Sequence, residues 1–376
     1  MLVSAALVFL MTPGLALFYA GLVVVRRNVL EITTTVFISI GVVTIIWFLF
    51  GFSLAFGPDV GGVIGDLSYV GLNGVGLAPS PTYAPTIPFL GYFAYELMFA
   101  IITPALIIGA FADRIDLRSY LLLLVGFSIL IYIPFAHWIW GGGFLHQLGV
   151  IDFAGGIVVH TSAGTAALAS AFTVIQRQPW RGQNPPPTDI IILSLGAGLL
   201  WFGWFGFNGG SAFQANGVAF TALTNTQIAA SLALVSWLLL PLAQGRQPST
   251  ADPLTGAVAG LATITPAAGY VAPWGAAIIG LAGGVICYLA VQLRKKMRWD
   301  DALDVWGVHG VGGASGAILV GVFAVAAVNN VSGLIEGNLR QFAVQVAAVV
   351  LAIVYAFVVS WIMLTVIKRV VPGTEI

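Results

Sequence analysis

Three ionisable side chains, Glu96, His160 and His309, stand inside long apolar runs, and Asp152 stands at the entrance of another. Such groups are costly in hydrocarbon and usually mark a site or a pathway. A neutral imidazole carries one donor and one acceptor. Two facing imidazoles can therefore share one hydrogen bond and present their outer nitrogens to a small polar guest. They can also relay a proton, because imidazole titrates near neutrality. A lone histidine in such a run is as readily a core ring bonded to a carbonyl. The spacing argues for a pair, since Asp152 precedes His160 by eight residues and Asp301 precedes His309 by eight. A metal would need further ligands. No other His, Cys or carboxylate lies at comparable depth, so neither a metal nor any cofactor is expected.

The elements that must hold these residues are membrane helices. Of the 376 residues 59% are hydrophobic and 7% charged, and mean hydropathy is +1.00. A soluble domain keeps roughly 25% charged residues, so lipid is this chain's principal solvent. The 46 glycines suit close helix packing. A net charge of zero gives no reason to expect nucleic acid. One cysteine, Cys287, excludes an internal disulfide framework and a cysteine metal cluster. The segment from Leu2 to Val25 is too long for a signal core, has no basic stretch before it and reads as the first span.

Apolar runs long enough to cross the bilayer, near 20 residues each, fall at 2–25, 32–56, 89–111, 119–137, 153–175, 189–208, 224–244, 252–268, 274–293, 302–327 and 340–367. The run at 252–268 is short and glycine-rich. Of the 14 Lys and Arg, all but Arg340 follow odd-numbered runs: Arg26 and Arg27, Arg114 and Arg118, Arg177 and Arg181, Arg246, Arg294 to Arg298, then Lys368 and Arg369. The positive-inside rule puts the N-terminus outside and the C-terminus in the cytoplasm of a multi-pass cell-membrane protein. A wrong count would scramble this alternation. The expected fold is an all-α polytopic membrane protein of eleven transmembrane helices. It forms one domain over 1–376, with two inverted five-helix repeats, roughly 1–176 and 189–327, and a final helix at 340–367. Inverted repeats place their sites near the midplane, where His160 and His309 would meet.

Aromatic residues add a second theme. Trp138 and Trp140 flank the outer end of span 4, beside His137 and His146, while Phe99 lies in span 3 and Phe207 in span 6. Most tryptophans are expected as interfacial belts. A weakly hydrated cation entering a pore is nevertheless well served by aromatic faces, worth about 2 kcal/mol each when desolvated.

Four stretches carry a resemblance. They are Met11-Thr-Pro-Gly-Leu-Ala-Leu-Phe-Tyr-Ala-Gly21, Asp152-Phe-Ala-Gly-Gly-Ile-Val-Val-His160-Thr-Ser-Ala-Gly, Trp204-Phe-Gly-Phe-Asn-Gly-Gly-Ser211 and Asp301-Ala-Leu-Asp-Val-Trp-Gly-Val-His-Gly310. Together they resemble the Amt branch of the Amt/Mep/Rh ammonium transporter family over essentially the whole chain. The resemblance implies a homotrimer with one pore per subunit and ammonium or ammonia as substrate. By motif, Phe99, Trp140 and Ser211 would form an outer recruiting site and Phe207 a gate stacked on Phe99. His160 and His309 would line the narrow pore. Asp152 would support the recruiting site by ordering backbone, or act simply as the cap of its helix.

Two features depart from the family's usual pattern. Position 96 is Glu where a neutral residue is expected. It lies three residues before Phe99 and shares its helical face. A carboxylate there would draw ammonium into the mouth or hold it too tightly, unless it is a hydrogen-bonded structural residue between helices. Only seven residues follow Arg369, fewer than in the family's usual cytoplasmic tail. The tail is absent, cut away or replaced by a further domain past Ile376, so the cytoplasmic partner expected is a PII-type regulator or a fused signalling domain. Two functions follow: transport of ammonium as ammonia through an apolar pore, or ammonium sensing without efficient conduction. No enzyme is expected, because the spans show no nucleophile–base grouping and no cofactor motif.

Overall fold

The computed structural model describes residues 1–23, 26–112, 114–174 and 189–371, the side chains of 26–28 excepted. Arg177, Arg181 and the residues past Val371, all used in the sequence reading, lie outside this set, as do the side chains of Arg26 and Arg27. Eleven long helices occur among the described residues, one at each expected run. They are α1 (Leu2–Leu22), α2 (26–56), α3 (Phe89–Phe111), α4 (117–139), α5 (156–173) and α6 (Ile190–Gly210). After these come α7 (Gly217–Ala243), α8 (Asp252–Ile264), α9 (Pro273–Met297), α10 (Trp306–Phe323) and α11 (Leu339–Val370). Nine are long and apolar enough to cross a membrane by themselves, and α5 and α8 are the exceptions.

The run expected at 252–268 is where sequence and structure part most. Helix α8 ends at Ile264, and the chain turns through Tyr270. Bare backbone at this depth needs protein partners. Asn225 supplies them, donating its side-chain amide to the carbonyls of Ala268 (2.9 Å) and Val271 (2.8 Å). Caps explain the smaller shifts. Helix α7 starts at Gly217, not 224, because Asn216 accepts from the Ala219 N–H at 3.1 Å. Helix α4 starts at Leu117 because Asp116 accepts from the Arg118 and Ser119 N–H groups.

Helix α3 is the central element: 89% of its apolar window is enclosed by other protein, against 28% for α11, which lies at the periphery. Helix α1 runs along α6 so closely that a Cβ on Gly196 would sit 2.2 Å from the Phe18 nitrogen. Small residues permit this approach where no hydrophobic force drives helices together in lipid.

Three basic residues that follow odd-numbered runs find partners on or beside α9. Arg114, after α3, pairs with Asp300, after α9, at 3.0 Å. Buried Arg294 pairs with Asp304 at 2.8 Å, and Arg246, after α7, donates to the Tyr288 hydroxyl of α9. Arg340 stands apart and donates to the Leu148 carbonyl at 3.2 Å.

The loop between α2 and α3 folds as two short antiparallel hairpins, 59–60 with 64–65 and 79–80 with 84–88. His137 pins it, with Nδ1 2.9 Å from the Ala55 carbonyl and Nε2 2.8 Å from the Asp59 carboxylate. That hydrogen bond holds the Asp59 carboxyl below its usual range. Tyr83 and Thr86 extend the anchoring by donating to the carbonyls of Gly141 and Phe213.

Candidate functional site

The site is a descending column of rings. At its top an open vestibule of about 620 Å³ is lined by Glu96, Phe99, Trp140, Ser211 and Phe213, among others. Phe99 meets Trp140 edge to face, with ring centroids 6.1 Å apart. Below, Phe99 and Phe207 stack at 4.1 Å and 20°, both fully buried, and close the way down. Phe207 lies 6.1 Å from the ring of His160, and His160 stacks on His309 at 5.2 Å. Their Nδ1 atoms are 3.2 Å apart, so one imidazole donates and the other accepts. His160 Nε2 is buried with no hydrogen-bond partner. A hollow of about 10 Å³, walled by apolar side chains such as Leu15, Ile102 and Val258, adjoins both rings.

Local backbone aims these rings. Each histidine lies in a π-helical turn, 156–161 in α5 and 306–310 in α10. Such wide turns recur at functional sites because they shift the side-chain register. Each turn is held by the aspartate that precedes its histidine by eight residues. Asp152 Oδ1 accepts from the Gly155 and Gly156 N–H groups at 3.0 and 2.6 Å. Its Oδ2 accepts from Ile157 and Val158 at 2.7 and 3.1 Å. Asp301 accepts from Val305 and Trp306 at 3.1 and 2.7 Å. The two helices cross at glycines: a Cβ on Gly164 would lie 2.1 Å from the Gly310 nitrogen, and one on Gly313 2.4 Å from the Gly156 carbonyl oxygen. The shared imidazole bond exists because the backbones come this close.

Asp152 also reaches upward, since its carbonyl accepts from Trp140 Nε1 at 2.8 Å. It is thus both the cap of α5 and the anchor of a vestibule ring. The Ser211 hydroxyl, on the vestibule wall, donates to the Phe207 carbonyl at 2.9 Å. Glu96 is 4% exposed, and its Oε2 has no hydrogen-bond partner. The bonded structural role between helices that its position allowed is not formed by this oxygen. Among the described residues no group of three or more His, Cys, Asp or Glu is arranged to hold a metal.

The family model described as Ammonium Transporter Family matches residues 1–372. The chain belongs to this family. It is 43% identical over 375 residues to an ammonium transporter of Bacillus subtilis, covering 99% of this chain and 92% of that protein. It is also 43% identical over 348 residues to ammonium transporter Amt1 of Archaeoglobus fulgidus, covering 93% and 86%. The crystal structure of Saccharomyces cerevisiae Mep2 superposes with a TM-score of 0.92 at 34% identity, covering 99% of this chain and 85% of that one. A structure titled Sensor Amt Protein superposes at 0.90 and 29%, covering 98% and 92%.

The candidate site residues Phe99, Trp140, Ser211, Glu96, Phe207, His160, His309 and Asp152 thus lie on or against one column of this ammonium transporter family fold, whereas His137 and Trp138 pack away from it. Three participants escaped that reading. The Tyr95 hydroxyl lies 2.7 Å from the Phe207 carbonyl and 3.3 Å from Ser211 Oγ. Trp204 stacks on His160 at 5.3 Å, and Phe213 packs on Tyr92 at 4.9 Å. Helical spacing was an available signal for two of them. Tyr95 is four residues before Phe99 and Trp204 three before Phe207, so each shares a face with a residue already chosen. Phe213 lies in a turn with φ +54, and no periodicity announces it.

Proposed function

We propose that this chain transports ammonium as ammonia, recruiting the ion among Phe99, Trp140 and Ser211 and passing ammonia between Phe207 and the histidine pair. The observation that carries this reading is the 3.2 Å contact between His160 and His309, directly beneath a stacked phenylalanine gate. A bare ammonium ion pays a large desolvation penalty at the midplane, whereas neutral ammonia pays little. Splitting the ion at the mouth and returning its proton along the histidines or water avoids that barrier. Potassium cannot be deprotonated and is refused. Glu96, on the vestibule wall, draws the cation in, and Asp152 holds both Trp140 and the start of α5.

Transport is favoured over sensing because relatives at 42–46% identity carry transporter names, while the sensor structure matches at 29%. The charge alternation supports an outside N-terminus and a cytoplasmic C-terminus. The aspartate–π-turn–histidine arrangement seen in both α5 and α10 supports an inverted repeat over roughly 1–176 and 189–327. Likeness to the family extends the proposal to a trimer with one pore per subunit, whose native mass would be three times that of the chain. A PII-type regulator on the cytoplasmic face belongs to the same reading. In proteoliposomes, replacing both His160 and His309 by alanine should abolish ammonium-evoked current. Undiminished, ammonium-selective current in that variant would overturn the role given to the pair.

A further inference from the structure

Splitting ammonium at the mouth requires a base there, and two carboxylates lie near enough to be considered. Asp152 is fully engaged: each of its oxygens already accepts two backbone N–H bonds, which fills the roughly four lone-pair positions of a carboxylate. Its proton affinity is spent on holding α5. Glu96 differs. It is 96% buried by its 4% exposure, lines the vestibule, and keeps Oε2 without any hydrogen-bond partner. It also sits one helical turn from Phe99, on the vestibule side of the Phe99–Phe207 stack. An ion cradled against Phe99 and Trp140 therefore shares the vestibule with the Glu96 carboxylate, whose enclosed Oε2 has no competing donor.

We propose that Glu96 is the proton acceptor of the transport cycle. One N–H bond of ammonium breaks and an O–H bond forms on the Glu96 carboxylate. The N–H bonding pair stays on nitrogen as the lone pair of ammonia. The carboxylate becomes a neutral acid as the cation becomes a neutral guest, so no net charge stands at the gate when Phe207 lets ammonia pass. The proton then moves to water or imidazole along the return route, which restores the carboxylate. This step rests on the transport reading above and assigns it a residue.

Infrared difference spectra of the intact protein in lipid, recorded on adding ammonium, test the step without requiring flux. The wild type should gain a carboxylic-acid C=O band that E96Q lacks. E96Q keeps the shape and a carbonyl oxygen for the cation but cannot become an acid. Its maximal ammonium-evoked current should fall by about 100-fold, the scale of losing a positioned base. Its half-saturating concentration should rise as well, because the neutral amide no longer draws the cation in. A wild type that gains no such band overturns the proposal, as does an E96Q protein that runs at the wild-type maximal rate. A raised half-saturation with that full rate would leave the carboxylate as an attractor only. Undiminished current in the double histidine variant alongside an intact Glu96 band would sink the histidine role and leave this one standing.

Discussion

Gly164 is the position at which the smallest chemical change should do the most damage to the histidine pair. An added methyl would lie 2.1 Å from the Gly310 nitrogen and 2.2 Å from its Cα, backbone atoms that cannot swing aside. Moving from 2.1 Å to the 3.4 Å of ordinary contact asks α5 and α10 to separate by about 1.3 Å. Gly164 is one turn beyond His160, and Gly310 adjoins His309, so that displacement falls on the imidazoles almost undiminished. Their 3.2 Å bond would open to about 4.5 Å, where no hydrogen bond survives. Overpacking of this kind costs typically about 1–3 kcal/mol. G164A should therefore unfold at lower temperature in detergent and lose most ammonium-evoked current in proteoliposomes. G198A, whose methyl would meet nothing within 4 Å, is the matched control and should change neither. A G164A protein with wild-type current and wild-type Tm would refute the claim that helix approach sets the imidazole contact.

Two further outcomes follow from the caps and the loop. D152A strands four backbone N–H groups at the start of α5, at about 1–3 kcal/mol for each that finds no other partner. Its Tm should fall clearly, and tryptophan fluorescence should report a loosened Trp140; unchanged values in both would remove Asp152 from its structural role. Asp59 has a lowered folded-state value, chiefly from its hydrogen bond with His137. Its contribution is thus complete above the unfolded carboxylate range and lost as pH falls through the folded value. Wild type should melt above D59N near neutrality, and the gap should close well below about pH 4; a gap that widens on acidification would reverse the sign.

The spans were legible because hydropathy and the placement of Arg and Lys are independent signals that agree. Arg114 meeting Asp300 is the three-dimensional form of that agreement. Helix α8 was misjudged in length because composition cannot show that Asn225 would carry the carbonyls of a broken helix. The histidine pair was legible through cost, since buried titratable groups are rare in hydrocarbon, and through the repeated eight-residue step from aspartate. What no sequence rule supplied was the wide helical turn that aims each imidazole, or the saturation of Asp152. Both depend on backbone geometry that residue identity leaves open. Glu96 was legible twice, as an ionisable group inside an apolar run and as a departure from the family's pattern. Its unpaired oxygen became visible once the neighbouring Asp152 was seen to be fully occupied.

The stack of Phe99 on Phe207, with a hollow of only about 10 Å³ below it, has a consequence for the cell that houses it. An energised membrane drives each elementary charge with about 2.3 kcal/mol per 100 mV, and a wet conduit would drain that store continuously. If this column is the proposed path, its stacked hydrocarbon rings make it an insulator between cycles. Under the transport cycle proposed above, many copies could therefore sit in one membrane without discharging the voltage on which other uptake systems depend.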